Sequence, residues 1–434
     1  MKRLVVAGLL ITTTLIACGQ NTDAIINAKE AYRIEKFLSS DDLRGRRAFT
    51  PEIDKAADFI AAEFKTIGLQ TLNNSGSYRQ EFVMVTSSLL STSCTFNDQE
   101  VDINNVVVVT CQPELKVTAK SGYEKVKINA GQSLSSEARK LVGAGKNYIV
   151  LVDTSFSKNF KRLVRFNQGA FKTDKSVIFV LTVKEPSEFT IKANHKITEN
   201  ELANVVGILP GKSKKNEYVI FSGHYDHVGT GSPVEAYPHD HKDSIYNGAN
   251  DDAAGTTAVI MLAKYFRELN NNERTIVFAA FTAEELGGFG SQYFSKQLDP
   301  AAVVAMFNIE MIGTESKWGK NSVYMTGYEK SDMGTILQKN LEGTGFTIYP
   351  DPYTQQQLFY RSDNATLARL GVPAHTISTS KMDNEPNYHK VSDQIETLDM
   401  ENMAMIIKAI ALSSKTIVAG KETPTRVKVE ELRQ

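Results

Sequence analysis

Five short stretches of this chain carry side chains able to do chemistry, and most of them close or follow an apolar run. The first is His224-Tyr225-Asp226-His227, just beyond the apolar Tyr218 to Phe221. A histidine with a carboxylate two residues on can take a metal through one ring nitrogen while Asp226 orients the other. The second is Asn247-Gly248-Ala249-Asn250-Asp251-Asp252-Ala253-Ala254-Gly255, whose adjacent acids, taken alone, read as a cap on the helix that follows. The third, Thr282-Ala283-Glu284-Glu285-Leu286-Gly287, puts two carboxylates directly after a continuous apolar strand. That is costly unless they are solvated, paired or metal-bound. A metal resolves it, with one glutamate as ligand and its neighbour as base. The fourth, Asn308-Ile309-Glu310-Met311-Ile312-Gly313, closes another apolar run with an acid. The fifth, Asn387-Tyr388-His389-Lys390, supplies a second histidine.

None of these is specific by itself. Together they offer two histidines and at least three carboxylates at successive strand ends, a mixed nitrogen and oxygen set suited to catalytic zinc. Five ligands drawn from these groups exceed what one open three-ligand site uses. A central carboxylate can bridge, so two zinc ions per chain are expected. His195, His227, His239, His241 and His375 are expected at the surface or satisfied in the core. His239-Asp240-His241 lies in a loop with no strand end to aim it.

The elements that must position these groups follow from periodicity. From about residue 203 strand and helix alternate. Tyr218 to Phe221, Thr275 to Phe281, Ala302 to Ile309 and Pro373 to Ile377 read as buried strands, and Gly255 to Leu269 has helical apolar spacing. Such alternation predicts an α/β fold with a mostly parallel central sheet flanked by helices. In open α/β sheets ligands bind beyond the carboxyl ends of strands, where these groups fall. Near the N-terminus, Ile34, Phe37 and Leu38 share a helical face. Thr50-Pro51-Glu52 starts a second helix, which Gly68 stops. Between about 80 and 200 the texture changes to short β-rich runs, Val106 to Thr110, Tyr148 to Val152 and Ser176 to Leu181, with no catalytic grouping. Residues 81–202 are expected to form an inserted, mostly β accessory domain.

The set in this order resembles the di-zinc exopeptidase family that includes bacterial leucyl aminopeptidases, glutamate carboxypeptidase II and, as a divergent branch, glutaminyl cyclases. Leu38-Ser39-Ser40-Asp41-Asp42-Leu43-Arg44-Gly45-Arg46 and Ala56-Ala57-Asp58-Phe59-Ile60 are similar to that family's N-terminal segment. The resemblance implies that Asp251 bridges two ions and that Glu284 is the general base with Glu285 its ligand partner. It also implies that the five ligands are His224, Asp251, Glu285, Glu310 and His389, that Tyr388-His389 with Asp393 is the final ligand motif, and that Tyr388 donates to the oxyanion, with a packing role as its alternative. Arg361-Ser362-Asp363 resembles a neighbouring family segment, with Asn364 where many relatives have His. Glu310 stands where the family usually has Asp. Residues 30–80 and 203–420 would form the peptidase domain, and 81–202 are placed like the protease-associated domain of relatives. The implied activity is aminopeptidase hydrolysis of peptides. The alternatives are a glutaminyl-cyclase-like aminoacyltransferase with one zinc, or a non-catalytic receptor-like surface protein.

Composition agrees with an enzyme of this kind. Of 434 residues, 41% are hydrophobic and 23% charged, which excludes a disordered chain. The 49 basic and 50 acidic residues leave a formal charge of −1, without the basic surface that nucleic acid demands. Lys2 and Arg3 precede an apolar stretch too short to span a bilayer. It ends in Leu15-Ile16-Ala17-Cys18-Gly19, which resembles the lipobox of bacterial lipoproteins. Residues 1–18 are therefore expected as a signal peptide, with Cys18 acylated and the protein anchored by lipid in the bacterial cell envelope. Residues 19–29 read as a polar tether and 421–434 as a polar tail. Cys94 and Cys111 remain as an even pair, open between a disulfide and two buried thiols.

Overall fold

A computed structural model describes residues 22–231 and 243–432. Cys18, His239 and His241 lie outside the described residues. The chain divides into two compact units, Phe82–Leu202 and the sequences that flank it on both sides.

The flanking unit is an α/β structure built on a mixed sheet. Helix α1 (Ala28–Leu38) starts at Asn27, whose side chain accepts from the Glu30 N–H. Helix α2 (Pro51–Ile67) has Pro51 in its first turn and stops at Gly68 with φ 80°. Strand β1 is the end of Phe189–Leu209, followed by β2 (Lys214–His224), α3 (Ala254–Leu269), β3 (Arg274–Phe281) and β4 (Val303–Ile309). Next come β5 (Ser322–Met325), β6 (Thr347–Pro350), β7 (Ala374–Ser378) and α4 (Met400–Ser413).

The strand order is β6-β5-β7-β4-β2-β3-β1. The central run β3, β2, β4 and β7 is parallel throughout, whereas β1 joins β3, and β5 joins β7, antiparallel. β2 lies between β3 and β4, so the chain leaves β2 toward one edge and crosses back to the other. That reversal opens a crevice at the carboxyl ends of the three strands.

Side-chain alternation covers both faces of the sheet, as a doubly covered parallel core requires. Val219, Phe221, Ile276, Phe278 and Phe307 join the helices on one side, and Ile220, Val277, Ala279, Phe281 and Met306 point to the other. Phe221 stacks on Phe307 and Phe266, with centroids 4.9 Å and 5.3 Å away.

Two expectations at the ends are corrected. The tether does not run to residue 29, because Ile25 and Ile26 are buried in the same core as α1. Residues 421–432 are not a free tail: Val427 is buried and Arg426 donates to the Val303 carbonyl at 2.8 Å. In both cases a few apolar or hydrogen-bonding residues inside a polar stretch outweigh its average composition.

The second unit contains a four-stranded sheet ordered Val106–Thr110, Ser176–Leu181, Tyr148–Val152, Glu124–Ile128. Leu134 and Ala138 of the helix Leu134–Gly143 pack on one face. Leu115, Val117, Ile191 and Cys94 pack on the other. Cys94 and Cys111 are free thiols rather than a disulfide. Among the described residues, no helix is long and apolar enough to cross a membrane.

Candidate metal centre

The predicted groups converge because the parallel strands end together. His224 is the last residue of β2, Glu310 follows the last of β4, and Glu284 and Glu285 come three and four residues after β3. Backbone turns then aim them. Ala283, Met311 and His389 adopt left-handed φ values of 55°, 53° and 53°, a conformation uncommon for non-glycine residues.

Asp251 and Asp252 divide two tasks that the sequence left merged. Asp252 Oδ1 accepts from the Gly255 and Met311 N–H groups and Oδ2 from that of His224, at 3.0–3.1 Å. It is thus the cap on the α3 end and the tie between three loops. The space it needs is kept by Gly255, where a Cβ would lie 2.1 Å from the Ile309 carbonyl oxygen. Asp251 is left free to face the site. Asp393 receives the Asn250 and Asp251 N–H groups at 2.8 Å and 3.0 Å, fixing that loop from the far side.

Asp226 differs from the expectation. The ring nitrogen Nδ1 of His224 is oriented by the main-chain carbonyl of Asp226 at 3.1 Å, with the carboxylate farther off at 3.6 Å. The carboxylate instead accepts the N–H groups of Glu284 and Glu285, at 3.0 Å and 3.3 Å. Asp226 therefore binds the glutamate loop to the histidine strand.

Arg46 supports the same region from beneath. Wholly buried, it donates to the carbonyls of Tyr225, Leu38, Asn247 and Gly248 at 2.5–2.8 Å. One guanidinium thus fastens the N-terminal segment to both the His224 and the Asp251 loops.

Two groups of potential ligand atoms result, and they share Asp251. His224, Asp251 and Glu310 form one; His227, Asp251, Glu285 and His389 form the other, with the atoms in each within 4.8 Å of one another. His224 Nε2 lies 3.3 Å from Asp251 Oδ1, and His389 Nε2 lies 3.3 Å from Asp251 Oδ2 and 3.1 Å from Glu285 Oε2. Ligands about 2.0–2.1 Å from one tetrahedral ion stand roughly 3.3 Å apart. Within these two groups six buried atoms lack a hydrogen-bond partner: His224 Nε2, His227 Nδ1 and Nε2, Asp251 Oδ2, Glu285 Oε1 and Glu310 Oε2. Buried polar atoms are rarely left alone, and a cation in each group would satisfy one atom from every residue. The residues present fit zinc.

His227 is the residue whose role sequence reasoning missed. It was expected in the core or at the surface, yet its Nδ1 lies 2.8 Å from Glu285 Oε1. Its place one residue beyond Asp226 is the only signal in the sequence. Of the others set aside, His375 is a satisfied core residue, bonded to the Thr326 carbonyl and Ser331, with burial pushing it down to about 4. Asn364 is also structural, donating to the carbonyls of Phe359 and Ala374 and accepting from Thr376.

The electrostatics are those of a site short of positive charge. Burial pushes Glu310 up to about 7, against the pull of His224. Burial also holds Glu284 well above the ordinary carboxylate range, with Glu310 and Asp363 adding to it. For Glu285, burial and Asp251 push upward, but His227 and His389 outweigh them and bring it down to about 2. Burial opposes protonation of His389, while Asp251 and Glu285 raise it to about 10. His224 is likewise raised by Asp226 and Asp251 in spite of its burial.

These shifts favour the protonated forms of His224 and His389 while no metal is bound. Zinc loading of the stripped protein at pH 7 should release protons from these two histidines and in part from Glu310, since imidazole and carboxylate ligate only when unprotonated. Because those pKa values are raised, apparent affinity should climb with pH through the neutral range and fall on acidification. Titration calorimetry in buffers of different ionisation enthalpy measures this. Zinc uptake with no proton release would show that the histidines are not ligands.

The pocket over these groups is lined by Glu284, Glu285 and Glu310, and also by Met311, Leu358, Met382 and Tyr388. Tyr388 stacks on the His389 ring at 4.0 Å.

Residues 204–413 match the profile of peptidase family M28. A probable leucine aminopeptidase of Trichophyton verrucosum is 27% identical over 210 residues, 46% of this chain and 53% of that one. Aminopeptidase YwaD of Bacillus subtilis is 24% identical over 266 residues, covering 57% of this chain and 51% of that one. The chain thus spans about half the length of the curated relatives it matches. In fold it is similar to BSAP, a zinc aminopeptidase from Bacillus subtilis, with TM-score 0.55, 18% identity and 94% and 97% of the two chains covered. A peptidase M28 precursor from Shewanella amazonensis gives TM-score 0.55 at 16% identity, covering 95% and 98%.

Proposed function

We propose, from the match of residues 204–413 to peptidase family M28, that the chain is a zinc-dependent aminopeptidase holding two ions. The observation that carries the reading is the pair of potential ligand groups meeting at Asp251, whose buried polar atoms lack hydrogen-bond partners and whose Asp251, Glu285, Glu310 and His389 line one pocket. His224, Asp251 and Glu310 would hold one ion, and Asp251, Glu285 and His389 the other. Zinc, when bound, polarises the peptide carbonyl and makes a water acidic enough to give up its proton near neutral pH.

The chain's own groups do the rest. Glu284, which is not needed as a ligand, accepts that proton at its carboxylate and returns it to the nitrogen of the departing peptide. A base whose pKa lies near the working pH serves both transfers. Asp226 keeps the Glu284 loop in register by accepting its N–H. Tyr388, on the pocket wall, donates to the oxygen that gains charge. The acidic lining suits the ammonium of a substrate's first residue, and Met311, Leu358 and Met382 offer apolar contact to its side chain. Residues 81–202 serve as an accessory module, since among the described residues neither ligand group includes any of them. The test is to count zinc in the purified chain and assay it against free and N-blocked aminoacyl peptides. Equal cleavage of blocked peptides would overturn the amino-end assignment, and a protein that binds no zinc would overturn the reading whole.

The envelope location belongs to the same proposal and rests on Leu15-Ile16-Ala17-Cys18-Gly19. Cys18→Ser should remove thioether-linked lipid and release the protein from membranes, because the alcohol is a poor replacement for the thiol. Labelled fatty acid recovered equally in both proteins would count against an anchor.

A further inference from the structure

We propose that His227 is a metal ligand in its own right, completing a four-ligand set with Asp251, Glu285 and His389. This rests on the zinc reading above and extends it to a residue outside the ligand pattern that the sequence suggested. His227 is 1% exposed, and neither of its ring nitrogens makes a hydrogen bond. Nδ1 lies 2.8 Å from Glu285 Oε1 and 3.9 Å from Asp251 Oδ2, without the alignment of a hydrogen bond. His389 approaches the same two carboxylates from the other side, at 3.1 Å and 3.3 Å. These separations bracket the roughly 3.3 Å edge of a tetrahedron around zinc.

The ring is also held in place for this task. The His227 N–H donates to the Arg46 carbonyl at 3.2 Å. The ring lies against the bare Cα of Gly248, where a Cβ would approach it to 2.5 Å. On another side it meets His389 edge-on, with ring centroids 5.5 Å apart. A buried imidazole fixed on three sides, with a ligand-spaced nitrogen and no hydrogen bond, is what a first-sphere donor requires.

The consequence is an unequal pair of sites. Two nitrogens and two oxygens would close the Glu285 side, whereas His224, Asp251 and Glu310 give three protein ligands and leave a position open. The Glu285 side would then keep its ion longest against a chelator, and the His224 side would leave room for water or substrate.

The whole chain loaded with cobalt in place of zinc tests this through the exchangeable ring N–H protons of metal-bound histidines. Proton NMR should record three shifted signals, from His224, His227 and His389, with one lost in His227→Ala and another in His389→Ala. Competition with a chelator should show that His227→Ala weakens one zinc site by more than about 100-fold, beyond the 10–100-fold typical of a residue that only supports a ligand. Two signals in the unaltered protein, or wild-type zinc affinity in His227→Ala while His389→Ala loses a site, would overturn this inference and leave the zinc reading standing. No metal uptake by the unaltered chain would overturn both. Because the signal count is read on the unaltered protein, the test does not depend on the variant folding.

Discussion

Glu284→Gln is expected to abolish turnover while both zinc ions stay bound. Glutamine keeps the shape and the N–H that Asp226 accepts, so the loop should hold its register and Glu285 its aim. What is lost is an oxygen able to take a proton. General base catalysis contributes roughly 10²–10⁴ in rate, or about 2.7–5.5 kcal/mol in the barrier. The same group must also protonate the leaving nitrogen, so the fall in kcat should reach the upper part of that range, with little change in KM. Burial raises Glu284 above the ordinary carboxylate range, so a neutral amide costs the fold little there while offering no site for the proton. Measured kcat within a few-fold of wild type, at unchanged zinc content, would remove Glu284 from the mechanism.

The sequence made strands and ligands legible to different depths, for physical reasons. Thr275 to Phe281 and Ala302 to Ile309 stand out because a strand buried on both faces must be apolar at every position. An acid that ends such a run is conspicuous for the same reason, and Glu284, Glu285 and Glu310 were found that way. Asp251 could not be told from a helix cap until the fold gave the capping to Asp252. The direction of a ring is harder still. His227 follows Asp226 in a loop, and only the turn after β2, the glycine at 248 and the facing His389 decide that it points inward. Arg46 was visible as part of a resemblance, but its four carbonyl partners come from segments up to 202 residues away. Strand direction was half legible: alternation with helices gave the parallel centre, while β1 and β5 pair antiparallel where no crossover helix dictates the sense.

Glu310→Ala is expected to leave a folded protein that retains about one zinc instead of two, with kcat reduced at least about 10²-fold, the scale of losing one stabiliser of a developing oxyanion. Glu310 and His224 belong to one group alone, since Asp251 is shared and Glu285, His227 and His389 face the second site, and Glu310 is its only carboxylate that is not shared. Its Oε2 is buried without a hydrogen-bond partner, and Ser362 is the side chain that hydrogen-bonds to this carboxylate, so the alanine gives up little that holds the fold. Burial holds this carboxyl up at about 7, and an alanine spares the protein that desolvation. Stability should therefore change little or rise slightly, while metal content falls. Glu310→Asp should recover part of the second zinc, because the backbone at 310 is fixed by its N–H to the Ile377 carbonyl at 3.1 Å and cannot advance to make up a full methylene. Mass spectrometry of the native protein counts the ions. Two tightly held zinc ions and near-normal turnover in the alanine variant would make Glu310 a bystander. The open site would then need another carboxylate, and Asp252, already committed to the N–H groups of His224, Gly255 and Met311, is poorly placed to supply it.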